Sequence, residues 1–436
     1  MSTRVVIIGA GFGGLACAGK LAGSRAEVIL IDRLNHHLFQ PLLYQVATAA
    51  LSPADIAEPV RKIFRRHGNI RVMMDEVTGI DLGRKEVWLS IAAPVPYDVL
   101  VVSTGSGYGY FDHDEWARHA PGLKTLEDAR TIRARLLKCF ELADLTDDPA
   151  YREALMTSVI IGGGPTGVEM AGSIAELCRW TLAGEFSRID PRQARVLLVE
   201  AGPRILSGFP EHLSAYAEKA LANLGVTVRT DTRVTDVRAD GVSLGDEFVP
   251  SGSIVWAAGV IASPAASWLE LHTNRSGQIP VAEDLSVPGL RDVYVIGDTA
   301  LFMQDGQPLP GLAQVAKQQG QHLGKGLRRR IEQGVALPPF RFRNRGNTAV
   351  IGRHAAVFDF GRWQMKGRLA WLLWAMVHVY LLVGFEKRLL VSLQWLWRYF
   401  TGARGARLIS APLTREQAHE MSDVAAPRKS GAMGRR

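Results

Sequence analysis

The sequence predicts an α/β fold in which one βαβ unit occurs twice, with a helical segment added at the C-terminal end. Three observations predict it. A strand-like apolar run leads into a glycine-rich loop at residues 9–14, and the same arrangement recurs at residues 162–167. Each loop precedes a helix-like stretch and a second apolar run that ends in an acid, Asp32 or Glu200. Near the C-terminal end, an apolar stretch at 369–385 runs into an amphipathic one at 386–400.

Residues 4–8 are uninterrupted, apolar and β-branched, which suits a strand buried on both faces. A helix is expected at 15–22 and a second strand at 27–31. The second unit repeats this with a strand at 158–161, a helix reaching about Thr181 and a strand at 195–199. Between them, 99–103 is a strand and 126–145 a helix connecting the halves. Beyond, 226–229, 234–237 and 254–257 are strand-like, 293–296 is a strand and 312–331 a helix. Residues 411–436 are polar and read as a loose tail. The expected domains are 1–112 with 273–345, a connecting helix at 113–150, a second nucleotide domain at 151–272, and a membrane-anchoring C-terminal domain at 346–410.

The 436 residues suffice for two or three domains of ~150 residues each, and their core needs no disulfide or metal staple. The 47% hydrophobic and 22% charged residues are ordinary for a globular protein and argue against wholesale disorder. Cys17, Cys139 and Cys178 show no C-x-x-C spacing, which argues against a redox dithiol and a cysteine zinc cluster. They read as reduced thiols of an intracellular protein, and no signal peptide is apparent. The histidines form no metal pattern. His36 and His37 precede the segment at 39–44 and are candidates to brace a cofactor, and His378, alone in an apolar run, is expected to pack. Net charge is +8 and uneven. Residues 386–436 carry ten Lys or Arg against four Asp or Glu. A basic end after an apolar stretch points to an acidic surface. Membrane phospholipid fits better than nucleic acid, because the tail lacks interleaved aromatics.

The first loop reads V-V-I-I-G-A-G-F-G-G. Gly9 permits the tight turn, Gly11 lets a pyrophosphate approach the backbone, and Gly14 lets helix and strand pack closely. Ala10, Phe12 and Gly13 complete the loop, whose helix N-terminus offers N–H groups and partial positive charge to phosphates. Asp32 stands where a carboxylate binds a ribose diol. The second loop, G-G-G-P-T-G, places Gly162, Gly164 and Gly167 in register, with Gly163, Pro165 and Thr166 between them. Glu200 lies 38 residues after Gly162, longer than the usual ~20, and the extra length is assigned to 179–193. As the ribose ligand, Glu200 would repel a 2′-phosphate and favour NADH. Two such Rossmann-like loops imply two dinucleotides in one chain.

Three further segments carry a resemblance. L-V-V-S-T-G ends at Thr104 and Gly105, I-V-W-A-A-G-V holds Gly259, and D-V-Y-V-I-G-D-T-A holds Gly297 and Asp298. With the two loops they resemble the two-dinucleotide-binding-domain flavoproteins of the glutathione-reductase-like fold, over residues 4–332. The resemblance implies a non-covalent FAD in the first site, with Asp298 on the ribityl chain. Arg33, Val77 and Ala313 complete the cofactor-binding set. The dithiol of disulfide reductases is missing from 36–51, and the late cysteines of sulfide:quinone reductases are missing after Cys178.

H-H-L-F-Q-P-L-L-Y-Q-V-A-T, F-D-H-D-E-W-A-R-H-A-P-G-L-K-T-L-E-D-A, G-L-A-Q-V-A-K-Q-Q-G and G-F-E-K-R-L-L-V-S-L-Q-W-L-W-R-Y-F resemble the type II NADH:quinone oxidoreductases, as far as Ile409. That family implies hydride transfer from NADH to FAD and two electrons to a membrane quinone, without proton pumping. It also implies a homodimer held peripherally on the cytoplasmic face of the inner membrane. By the same resemblance the A-Q-x-A-x-Q-x-G helix lies beside the flavin. Gln314 and Gln318, with Gln319, become the quinone-side groups, and Glu169 positions the nicotinamide. The N–H end of that helix would stabilise charge arriving on the flavin. A soluble NADH-dependent reductase of a ferredoxin-like protein is the alternative; it has no use for the apolar C-terminal segment. A redox-sensing binding module of the apoptosis-inducing-factor kind would keep both loops but not that helix.

Overall fold

A computed structural model describes residues 2–382, 385–401 and 404–409; the expected tail at 411–436 lies outside them. The elements that position the sites begin with β1 (Arg4–Ile8), α1 (Phe12–Leu21), β2 (Glu27–Asp32), β3 (Ile70–Met74), β4 (Val99–Val102) and α2 (Leu126–Leu145). They continue with β5 (Thr157–Ile161), α3 (Pro165–Glu176), β6 (Arg195–Val199), β7 (Val226–Arg229), β8 (Ser253–Trp256) and β9 (Val293–Val295). Last come α4 (Ala313–Gln333), β10 (Asn347–Gly352), β11 (Ala355–Asp359), β12 (Gln364–Gly367), α5 (Arg368–Leu381) and α6 (Phe385–Thr401).

The chain divides into two compact units. The first holds Met1–Leu38, Ala57–Tyr108 and Val260–Arg345, the second Phe39–Ile56, Gly109–Gly259 and Gly346–Arg436. The sequence placed 39–56 with the first nucleotide domain and set 113–150 and 346–410 apart, whereas all three group with the second unit. Sequence reading follows the order of elements along the chain, and these groupings come from tertiary packing.

In the first unit, five parallel strands run β9-β4-β1-β2-β3. Alternate residues serve opposite faces, and both are covered. Val5, Ile7, Val28 and Leu30 face one core together with Leu21, Leu323 and Leu327. Val6, Ile8, Ile29 and Ile31 face the other. This is why β1 reads as continuous apolar sequence rather than alternation. Helices α1 and α4 approach closely because Gly320 faces the backbone of Gly13, where a Cβ would come within 2.9 Å of the Gly13 carbonyl carbon.

In the second unit, four parallel strands run β7-β6-β5-β8. Helix α2 begins with a reciprocal cap: the Thr125 hydroxyl accepts from Asp128 N at 3.1 Å, and the Asp128 carboxylate accepts from Thr125 N at 2.8 Å. Helix α3 ends in a π-helical turn, Leu177–Thr181, and a 3-10 turn follows at Pro191–Gln193. These account for the long spacing to Glu200. Cys178 is buried in that turn, and burial pushes its thiol up to about 12.

The antiparallel sheet β10-β11-β12 was not legible in the sequence, because glycines and a 353–354 turn interrupt its alternation. Its edge strand β10 lies along α3. A Cβ on Gly172 would meet the Ile351 carbonyl carbon at 2.8 Å, so only glycine allows this approach. Gly172→Ala is expected to destabilise the protein by about 1–3 kcal/mol through overpacking. Gly19→Ala, at a helix position with open space around it, should be neutral or stabilising. Thermal unfolding of both variants checks the contrast.

Candidate functional site

The first unit carries a nucleotide cradle at the end of β1. Gly9 has φ +98°, and space around Gly11, the N-cap of α1, is open. Gly13 packs against Ile296. Asp32 ends β2 and holds the loop: its Oδ2 accepts from Ala10 N at 2.6 Å and its Oδ1 from Leu34 N at 2.7 Å. The buried His37 donates from Nδ1 to the Ala10 carbonyl at 2.9 Å, and its ring stands edge-on to Phe12. Arg33 is exposed. Val77 is buried just beyond Asp75, whose N–H donates to the Asp32 carbonyl at 3.0 Å.

A second group of the same unit gathers around Asp298. Ser106 Oγ donates to Asp298 Oδ2 at 2.6 Å. Thr104 Oγ1 lies 3.3 Å from Thr299 Oγ1, which donates to the Gly105 carbonyl at 3.1 Å. Ala313 opens α4, so the unpaired N–H groups of a 21-residue helix begin there. An open glycine turn, a helix N-terminus, a fixed carboxylate at the β2 end and a second one at Asp298 fit a dinucleotide of the FAD kind.

The glutamines of α4 depart from expectation. Gln319 is buried, and its Oε1 accepts from Gly297 N at 2.7 Å. It braces the turn before Asp298. Gln318 bonds twice to the Arg343 backbone, donating at 2.9 Å and accepting at 3.1 Å, and Gln314 Oε1 accepts from Arg345 N at 3.1 Å. Both secure the segment at 343–345. Glutamines at i and i+4 share a helix face, but sequence does not say whether that face meets a ligand or a neighbouring loop.

The second unit repeats the first cradle closely. Gly162 has φ +108°, Gly164 is the N-cap of α3 and Pro165 follows at its first turn, with Thr166 next. A Cβ on Gly167 would meet the Gly162 backbone. Glu200 Oε2 accepts from Gly163 N at 2.6 Å, and Oε1 from Gly202 N at 2.7 Å. Glu200 thus holds its loop as Asp32 holds the other, despite the longer spacing. Arg204, four residues on, is held within its own loop: Nη1 donates to the Phe209 carbonyl and Ser214 Oγ, each at 2.8 Å, and Nη2 to the Ser207 carbonyl at 2.7 Å. Gly259, φ +68°, faces the Gly109 backbone and the Phe111 ring.

The same unit contains a slot of about 30 Å³ walled in part by Trp371, Trp374 and Trp395, room for roughly two waters. Glu169, Ser173 and Glu176 of α3 line it with Tyr44, Gln45 and Arg353. Glu169 Oε1 accepts from Val350 N at 3.3 Å, and Glu176 accepts from Arg353 N. Gln45 Nε2 donates to the Tyr44 hydroxyl and its Oε1 accepts from Trp395 Nε1, each at 2.9 Å. Beyond the slot, Ser173 Oγ lies 2.7 Å from Thr48 Oγ1, and Arg404 donates to the Thr48 carbonyl at 2.6 Å and to Glu176 at 3.3 Å. Sequence reasoning found Glu169 but missed the others. Glu176, seven residues along the same helix face, was the available signal.

Burial raises the Glu169 carboxyl to about 8, against a lowering by the Val350 N–H. The folded protein therefore keeps this proton between about pH 4.5 and 8 while an unfolded chain releases it. The associated stability is full below pH 4.5 and is lost as pH rises to about 8. Glu169→Gln removes the titration. Its melting temperature should gain on that of the unmodified protein from pH 5 to 8 and hold a constant difference above; a pH series of melts checks this.

The chain matches the pyridine nucleotide-disulphide oxidoreductase family over residues 3–320 and the NDH2 C-terminal domain over residues 344–404. It is 38% identical over 447 aligned residues to the type II NADH:quinone oxidoreductase Ndh of Mycobacterium tuberculosis, covering 98% of this chain and 95% of that one. NdhA of the same organism is 38% identical, over 94% and 90% of the two chains. The solved structure of NDH2 from Plasmodium falciparum in complex with NADH is similar at a TM-score of 0.85 and 20% identity, covering 93% and 99%.

Proposed function

We propose that this chain, which belongs to the type II NADH:quinone oxidoreductases, oxidises NADH and reduces a membrane quinone to quinol, taking up one proton from water and pumping none. The observation that carries this reading is that two complete dinucleotide cradles share one chain with an NDH2-type C-terminal region. A bound FAD supplies the capacity to accept a hydride from one substrate and pass two electrons to another. The loop at residues 9–14, Asp32, Thr104, Gly105, Gly297, Asp298 and Ala313 would hold it, with Arg33 and Val77 alongside.

The loop at residues 162–167 and Glu200 bind NADH. Because two backbone N–H groups fix the Glu200 carboxylate, it accepts a ribose hydroxyl and repels a 2′-phosphate. Glu169 keeps its proton at neutral pH, so its carboxyl can donate a hydrogen bond to the nicotinamide carboxamide or a proton to a reduced acceptor. Gln314 and Gln318 hold the 343–345 segment at the start of α4 and border the quinone site through it.

Attachment is to the membrane surface. Helix α5 has 14 residues, about 21 Å at 1.5 Å per residue, and among the described residues no helix is long and apolar enough to cross a membrane. Leu369, Leu372, Met376 and Tyr380 of α5 and Leu389, Leu393, Leu396 and Trp397 of α6 are exposed. Val391 and Trp395 take the inward face of α6, so its apolar stripe faces outward and not into a core; the Phe400 side chain lies outside the described ones. An outward apolar stripe suits a helix in the plane of a bilayer and would be a liability in a soluble ferredoxin reductase. The reading places the protein as a homodimer on the cytoplasmic face of the inner membrane.

With purified protein and a short-chain quinone, NADH should be oxidised, followed at 340 nm. kcat/KM for NADH should exceed that for NADPH by well over tenfold, since opposing a 2′-phosphate with a carboxylate costs at least ~1.4 kcal/mol. Comparable rates would remove Glu200 from the ribose site, and absence of quinone reduction would remove the activity.

A further inference from the structure

Helices α5 and α6 border a cavity of about 730 Å³ whose lining has two characters. One is apolar. Leu369, Leu372, Met376 and Val379 recur at helical spacing on α5, and Trp395 and Leu396 face them from α6. The other is cationic, from Arg353 in the turn after β10, Arg368 at the start of α5 and Arg388 near the start of α6.

Among the described residues, none of these three guanidiniums is paired with a carboxylate. Arg353 stacks over Trp180 at 5.1 Å, and its Nε is buried without a hydrogen-bond partner among the described residues. Arg388 lies 5.5 Å from the Tyr380 ring, and its Nε donates to the Leu382 carbonyl at 3.0 Å. Arg368 is exposed. His354, also on the lining, is held below the usual imidazole range by burial first and then by the charges of Arg353 and Arg368. A neutral ligand gains nothing from three guanidiniums without carboxylate partners, whereas an anionic head group does. An anion with apolar chains answers both halves of the lining.

We propose that this groove binds one anionic phospholipid of the bilayer, with its acyl chains along α5 and α6 and its phosphate among Arg353, Arg368 and Arg388. The proposal rests on the membrane-surface reading above and adds a discrete, stoichiometric site to it. Arginine suits the task because its planar fork matches phosphate oxygens.

The test uses the full-length flavoprotein in mild detergent. Wild type, Arg368→Gln/Arg388→Gln and the control Arg65→Gln/Arg66→Gln, which removes the same charge from exposed positions of the first unit, are incubated with phosphatidylglycerol or phosphatidylcholine. Native mass spectrometry then counts retained lipid, and bound-flavin absorbance confirms that each variant is folded. Wild type and control should retain one phosphatidylglycerol per chain. The Arg368/Arg388 variant should bind it at least about tenfold more weakly, and phosphatidylcholine should not be retained by any of the three. Equal retention by the two double variants, equal retention of both lipids, or displacement of the lipid by a neutral quinone would overturn the site. Flotation with phosphatidylglycerol vesicles is measured separately. Failure of the wild type to float would count against the membrane reading, whereas flotation without retained lipid would count against the site alone.

Discussion

The contact on which the second unit depends is the approach of the nucleotide helix α3 to the edge strand β10. An edge strand presents a row of backbone N–H and C=O groups that need partners. Here a helix supplies them: Glu169 takes the N–H of Val350 and Glu176 that of Arg353, while Gly172 between them lets the backbones close. One helix thus begins at a glycine loop, carries a carboxyl that burial keeps protonated on its second turn and carries the C-terminal sheet on its flank. Strand β10 leads through its sheet into α5 and α6, so the two helices with exposed apolar faces are built onto this fold.

The two cradles show how little of a dinucleotide site depends on chain length. Both acids end the strand next to the loop, and both take the N–H of the residue after the first glycine, Ala10 or Gly163. The insertion before Glu200 is absorbed by a π-helical turn and a 3-10 turn outside the strands, leaving β5 and β6 paired in register from Thr157 to Ile161.

What could be read from the sequence was whatever neighbours along the chain determine. β1, β6, β7 and α2 occupy the expected residues because a βαβ unit is nearly contiguous and its apolar runs are long. The slot was illegible for the opposite reason. Tyr44, Gln45, Glu176 and Arg353 are separated by up to 309 residues, and each alone is an ordinary polar side chain. Gln319 shows the limit of a motif. Its position in A-Q-x-A-x-Q-x-G was plain, but its direction depended on which turn of α4 faced Gly297. The sheet at 347–367 was missed because Gly352, Arg353 and His354 break the period that would have announced it.

The burial of Arg404 has a genetic corollary. Beyond α6, this arginine lies in the interior and meets Glu176, Ser173 and the Thr48 carbonyl. A premature stop codon anywhere upstream of position 404 would strip a buried carboxylate of its cation, a loss worth about 3–5 kcal/mol. Such an allele would present as depleted protein.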